Sequence, residues 1–91
     1  MEFEWDKEKA VANFKKHGVS FEEAALAFFD ENAVELFDET NSEDEIRCQL
    51  VGISNTRLIF VAYTVRDETI RIISARKANA RQIRIYNEQN N

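Results

Sequence analysis

The chain has 91 residues, 44% of them hydrophobic, with seven phenylalanines, two glycines, no proline and a net charge of -5 at pH 7. That length and composition give one small domain, residues 1–91, with a genuine core, and exclude a disordered or low-complexity chain. A single cysteine, Cys48, excludes an internal disulfide and suits a reduced cytoplasmic setting; no apolar run nears the roughly 20 residues of a membrane span, and the acidic N-terminus does not resemble a signal peptide.

The charge is unevenly placed. Residues 1–17 carry four acids and four bases, residues 18–46 carry ten acids and no base, and residues 47–91 carry eight bases and three acids. Such polarity suggests two partners, or a partner and a substrate; alternatively the halves complement each other across the fold.

Phe3-Glu4-Trp5 reads as a short extended stretch. Asp6 can cap a helix running to about Lys16, with Ala10, Val11 and Phe14 as a narrow apolar stripe and Gly18 as a left-handed C-cap. Ser20 and Glu23 have capping-box spacing, and Phe21, Ala24, Ala25, Phe28 and Phe29 follow at helical period. These two helices should form a hairpin. Residues 33–37 read as a short strand, 38–44 as an acidic loop, and 46–53, 58–66 and 69–75 as three longer strands. A last helix is expected over residues 77–87, with Ala80, Ile83 and Tyr86 inward. The order predicts an α+β domain: an N-terminal helical hairpin, a mostly antiparallel four-stranded sheet with room for a short extra N-terminal strand, and a C-terminal helix.

Two-residue turns set a register. Ile53 then faces Leu58 and Arg66 faces Thr69, which places Arg47, Thr64 and Arg71 side by side on three strands. The two arginines flank a gap of roughly 10 Å, and Gln49 and Arg66 share their face. Ile46, Cys48, Leu50, Ile59, Val61, Tyr63, Val65, Ile70 and Ile72 make the opposite, apolar face, expected to pack on Phe21, Ala25, Phe28 and Phe29. Two arginines in register repel unless an anion lies between them, and guanidinium matches phosphate. Acids at Glu35, or at Asp38, Glu39 and Glu45, could neutralise them instead. In an unbroken register Arg76 faces Ile59, roughly 23 Å along the strand from Thr69 and so remote from Arg66. One histidine and one cysteine make a zinc site improbable; Gly18 and Gly52 are too far apart for a phosphate loop, and the 38–45 acids lack EF-hand spacing.

Trp5-Asp6, Lys16-His17-Gly18-Val19-Ser20-Phe21-Glu22, Glu45-Ile46-Arg47, Tyr63-Thr64-Val65-Arg66 and Arg71-Ile72-Ile73-Ser74-Ala75-Arg76-Lys77-Ala78 occur in one order across nearly the whole chain. In this it resembles the BrnT-like toxins. The resemblance implies the toxin of a bacterial type II toxin–antitoxin pair, with a RelE-like ribonuclease fold. It further implies metal-independent RNA cleavage that inhibits translation, no cofactor, and silencing by a DNA-binding, dimeric BrnA-type antitoxin. Gln82 stands where the family commonly carries a glutamate. For such a reaction Arg47, Arg66 and Arg71 would stabilise charge on phosphorus, and Arg76 is the anchor the family pattern favours. His17 is the one side chain with an ordinary pKa near neutrality, an acid or base candidate or else a helix-end residue. Lys16, Gln49, Thr64 and Lys77 are candidate RNA contacts. Tyr86 could donate a proton or stack on a base, or pack in the core. The rival reading is a non-catalytic module that partners an antitoxin as co-repressor.

Overall fold

The computed structural model describes residues 1–37 and 47–91. Its elements run β1 (Glu2–Glu4), α1 (Lys7–His17), α2 (Phe21–Ala27), β2 (Val34–Phe37), β3 (Arg47–Ile53), β4 (Leu58–Arg66), β5 (Thr69–Lys77) and α3 (Ala80–Gln89). The α+β class and the helical hairpin agree with expectation. The expected acidic segment, with Asp38, Glu39, Glu43, Asp44 and Glu45, lies outside the described residues, as does Ile46, expected to open the next strand.

The sheet departs from four antiparallel strands. It has five, in the order β1-β5-β4-β3-β2, and β1 pairs parallel to β5. The cause is the alternation Phe3-Glu4-Trp5. Phe3 turns onto the apolar face, 5.3 Å from the Phe28 ring, and Trp5 meets Phe21 at 6.0 Å, so the backbone between them lies along the β5 edge. Where β1 ends, Asn13 of α1 takes over that edge. Its amide donates to Ala75 O at 2.8 Å and to Val19 O at 2.9 Å, and its carbonyl oxygen accepts from Ala75 N–H at 3.1 Å.

The hairpin registers hold. Ile53 pairs with Leu58, Arg47 with Thr64, Thr64 with Arg71 and Arg66 with Thr69. Asp67 and Glu68 both have left-handed backbones (φ 52° and 68°), as a two-residue hairpin turn of matching twist requires. Beyond Tyr63 the register shifts. Tyr63 pairs with Ile72 but Ala62 pairs with Ser74, so Ile73 is an extra, bulged residue. Arg76 therefore faces Phe60, not Ile59 as an unbroken register requires. β5 also runs on to Lys77, and the last helix begins three residues later than expected.

The main core lies between the sheet and the α1–α2 hairpin. Val19, Phe21, Ala24 and Ala27 pack on Leu50, Ile59, Val61, Tyr63, Ile70, Ile72 and Ala75. Gly52 sits where α2 ends against β3; a β-carbon there would lie 2.7 Å from Ala27 O. The helix stripes are narrower than their periodicity suggests. Val11 and Phe14 are each 56% exposed and Asn13 is buried in their stead; Phe29 is 65% exposed because α2 stops at Ala27. Val65, expected on the covered face, is 53% exposed. A second core under α3 joins Val51, Phe60 and Tyr86 to Val34, Leu36, Leu58, Ala62 and Ala78. The inward residues of α3 are Gln82 and Tyr86, while Ala80 and Ile83 are exposed.

Candidate functional site

The face of the sheet opposite α1 and α2 is built in rows. One row runs Glu4, Arg71, Thr64, Arg47 across β1, β5, β4 and β3. On one side of it lie Glu2, Thr69 and Arg66; on the other lie Ser74, Ala62, Gln49 and Leu36, then Arg76, Phe60, Val51 and Val34. Rows on one face are about 7 Å apart and strands about 4.8 Å. Arg47 and Arg71 thus stand roughly 10 Å apart, and Arg76 starts roughly 14 Å from Arg71 along the strand. The floor between them is low: Ala62 and Ser74 are small, and Thr64 is only 5% exposed. Arginine side chains are long enough to lean over that floor from both ends.

Arg76 is held on the α3 side. Its guanidinium carbon sits 4.6 Å from the centroid of the buried Phe60 ring, a cation–π contact. The bulge at Ile73 makes this possible. Arg71 and Arg76 are five residues apart, an odd spacing that would put them on opposite faces of a regular strand. One extra residue between them turns both to the same face.

Among the described residues, the acid bonded to Arg71 is Glu4. Arg71 Nη1 donates to Glu4 Oε2 at 2.5 Å, and both side chains remain about half exposed. Glu35 pairs with Leu50 and so belongs to the other face, away from Arg47 and Arg71. Asp38, Glu39 and Glu45 lie outside the described residues. Glu4 was not among the expected site residues. The alternation of Phe3, Glu4 and Trp5 turns Glu4 outward, but a parallel partner 67 residues away leaves no local trace.

The remaining candidates fall elsewhere. His17 ends α1 on the core side of the sheet, and the next residue, Gly18, accepts at its carbonyl from Arg57 Nη2 at 3.0 Å. Arg57 precedes Leu58, and Leu58 lies six residues, roughly 20 Å, along β4 from Thr64. Lys16 and His17 are therefore at the far end of the molecule from the Arg47–Arg71 row. Lys77 pairs with Ile59 and so points to the core side. Arg66 is on the arginine face, one row out. Tyr86 is 7% exposed and its hydroxyl donates to Asp30 Oδ2 at 2.8 Å, so it braces α3 against the chain after α2; burial, then that bond, pushes its pKa up.

Gln82 completes a capping box at the start of α3. Its backbone N–H donates to Asn79 Oδ1 and its Oε1 accepts from Asn79 N–H, both at 2.9 Å. At Ser20 only half the expected box forms. Ser20 Oγ accepts from Glu23 N–H, but the Glu23 carboxylate is taken by Arg57 (2.7 and 2.8 Å) and by the Ser54 hydroxyl (2.7 Å). The Arg57 bonds hold the Glu23 carboxyl below its ordinary range. Among the described residues no three His, Cys, Asp or Glu side chains converge as metal ligands.

Three arginines thus surround a small-residue floor on one face of an α+β scaffold. The family model described as "Ribonuclease toxin, BrnT, of type II toxin-antitoxin system" matches residues 5–82, and the chain belongs to this family. Membership implies a protein antitoxin as partner. No curated protein matches the chain closely enough to add to this. No helix among the described residues is long and apolar enough to cross a membrane.

Proposed function

We propose that the chain cuts single-stranded RNA without a metal ion, as the toxin of a pair whose BrnA-type antitoxin silences it in the cytoplasm, and that its scaffold is RelE-like. The observation that supports this reading is that Arg47, Arg71 and Arg76 lie on one face of the sheet, around Thr64, Ala62 and Ser74. In the proposed reaction the ribose 2′-hydroxyl attacks the adjacent phosphorus. Charge grows on the non-bridging oxygens, and guanidinium groups fixed around it hold that charge better than water does. Arg47 and Arg71 grip the scissile phosphate from two sides; Arg76, steadied on Phe60, meets it or its neighbour from the third. Arg66, Gln49 and Thr64 line the path of the flanking nucleotides. Lys16 and His17 lie too far from the row to act on the same phosphate, Lys77 is on the other face of the sheet, and Tyr86 is committed to Asp30.

The test is cleavage of a messenger transcript by the purified chain in EDTA. The expected products carry 2′,3′-cyclic phosphate or 3′-phosphate ends, because the ribose supplies the nucleophile. Alanine at Arg47, Arg71 or Arg76 should each reduce the rate by about 10²-fold or more, the typical loss on removing one charge-stabilising donor, with melting temperature unchanged. A magnesium requirement or 5′-phosphate ends would sink the mechanism. Antitoxin binding with no cleavage at all would leave the chain as a non-catalytic co-repressor.

A further inference from the structure

The proposed reaction needs a base for the 2′-hydroxyl proton, and none of the arginines can be one, since a guanidinium stays protonated throughout the working range. We propose that Glu4 is that base, an inference that rests on the ribonuclease reading above. Glu4 stands in the same row as Arg71, Thr64 and Arg47, brought there by the parallel pairing of β1 with β5. Among the described residues one of its oxygens is engaged: Oε2 accepts from Arg71 Nη1. The side chain is 51% exposed, so the carboxylate is open to an incoming ribose.

Arg71 ties the base to the phosphate. A guanidinium has five N–H groups, and one on Glu4 leaves a face of the fork for a phosphate oxygen. Phosphate and carboxylate are then held within a few ångströms of one another by one rigid plane. A 2′-oxygen attacking that phosphorus would then come within hydrogen-bond reach of the carboxylate, the roughly 2.6–3.2 Å a general base needs. The other described groups that could take a proton are worse placed. Asp6 accepts from Lys9 N–H as the cap of α1, and that bond holds its carboxyl below the ordinary range. Glu2 lies one row out, opposite Thr69. Glu35 is on the other face, and His17 is at the far end of β4. Gln82 is no base, and its side-chain oxygen is used in the α3 cap.

The step balances. Glu4 takes the 2′-hydroxyl proton as the 2′-oxygen bonds to phosphorus and the P–O5′ bond breaks. Solvent water protonates the departing 5′-oxygen, and Glu4 returns its proton to solvent. No redox change and no further reactant are involved.

The experiment compares Glu4→Gln, Glu4→Asp and Glu2→Gln with the wild-type chain. Cleavage rates are read across pH, and binding is read with a 2′-O-methyl copy of the RNA around a mapped cut, which cannot react. Glu4→Gln should cleave about 10²–10⁴-fold more slowly while binding the analogue within a few-fold of wild type and melting at the same temperature. Its residual activity should lose the fall on acidification that the wild type shows. Glu4→Asp should recover part of the rate, and Glu2→Gln should match the wild type. If Glu4→Gln cleaves at the wild-type rate while Arg71→Ala is inactive, the base lies elsewhere and the ribonuclease reading stands. Parallel loss of binding and cleavage, with the wild-type pH profile kept, would make Glu4 a positioning residue for Arg71 and overturn the proposal. A wild-type chain that cuts no RNA, or that is indifferent to both Arg47→Ala and Arg71→Ala, takes down the ribonuclease reading and this base together.

Discussion

Asn13 shows how one polar residue can hold two elements together. It is 8% exposed, and its amide serves both the donor and the acceptor of Ala75 as well as the carbonyl of Val19. It acts as one residue of a missing strand, continuing the β5 edge that β1 leaves open after Glu4. Asn13→Ala strands a buried N–H and two buried carbonyls, each worth about 1–3 kcal/mol when left unpaired. A total near 3 kcal/mol, after water and relaxation recover part of it, corresponds to a melting point lower by about 12–24 °C in a chain of this size. Asn13→Asp should fare no better, because a carboxylate can accept from Ala75 N–H but repels the two carbonyl oxygens. Thermal unfolding by circular dichroism reads both; a drop under about 4 °C in each would show that the edge is held by something else. Periodicity could not find this residue. Asn13 lies between Ala10 and Phe14 in the helical pattern, and hydropathy ranks Phe14 as the core residue although it is the exposed one.

At the scale of elements, α3 separates a structural from a chemical role for residue 82. The side chain of Gln82 points back to its own N-cap, and a glutamate there makes the same reciprocal bonds. Glutamate in a first helical turn is also favoured by the macrodipole. Gln82→Glu is therefore expected to keep melting within a few degrees of wild type and to leave the cleavage rate unchanged. A tenfold gain in rate would place the base on α3 and count against Glu4. Much of the architecture was legible: turn chemistry at Asp67-Glu68 fixed the β4–β5 register, the helix caps at Asp6 and Gly18 formed as expected, and Ser20 caps α2 without the reciprocal Glu23 bond. Two features were not. Parallel pairing of β1 depends on ring packing between Phe3 and Phe28, a contact distant in sequence. The bulge does leave a trace, since the doublet Ile72-Ile73 breaks the alternation and moves the inward positions from Ile70 and Ile72 to Ala75. An unbroken period-2 count passes over that change of phase and turns Arg76 to the wrong side.

At the scale of the molecule, four arginines of the described strands gather on one face of the sheet. Exposed Glu22, Glu31 and Glu35 lie with α2 and the core-side surface, while Arg47, Arg66, Arg71 and Arg76 share the opposite face, with Arg81 and Arg84 exposed on α3 beside it. The net charge of -5 therefore does not describe the arginine face, whose strands carry four arginines against Glu2 and Glu4 among the described residues. An antitoxin can silence such a molecule in two ways. It can cover the arginines with acidic side chains, or dock basic side chains on the acidic side and leave the site open. Covering excludes RNA with no change of shape, whereas docking behind the sheet requires a signal to cross the packed core. Covering is therefore the expected mode. The Arg47→Ala, Arg71→Ala double variant should then bind antitoxin at least tenfold more weakly, and antitoxin should shield both arginines of the wild type from arginine-modifying reagents. Affinity should also fall as salt rises, since the contact is an exchange of ions. Undiminished affinity of the double variant, with binding lost when Asp38, Glu39, Glu43, Asp44 and Glu45 are neutralised, would move the interface to the acidic segment. Silencing would then have to act through a conformational change, visible as altered amide exchange in β3 and β4 on complex formation.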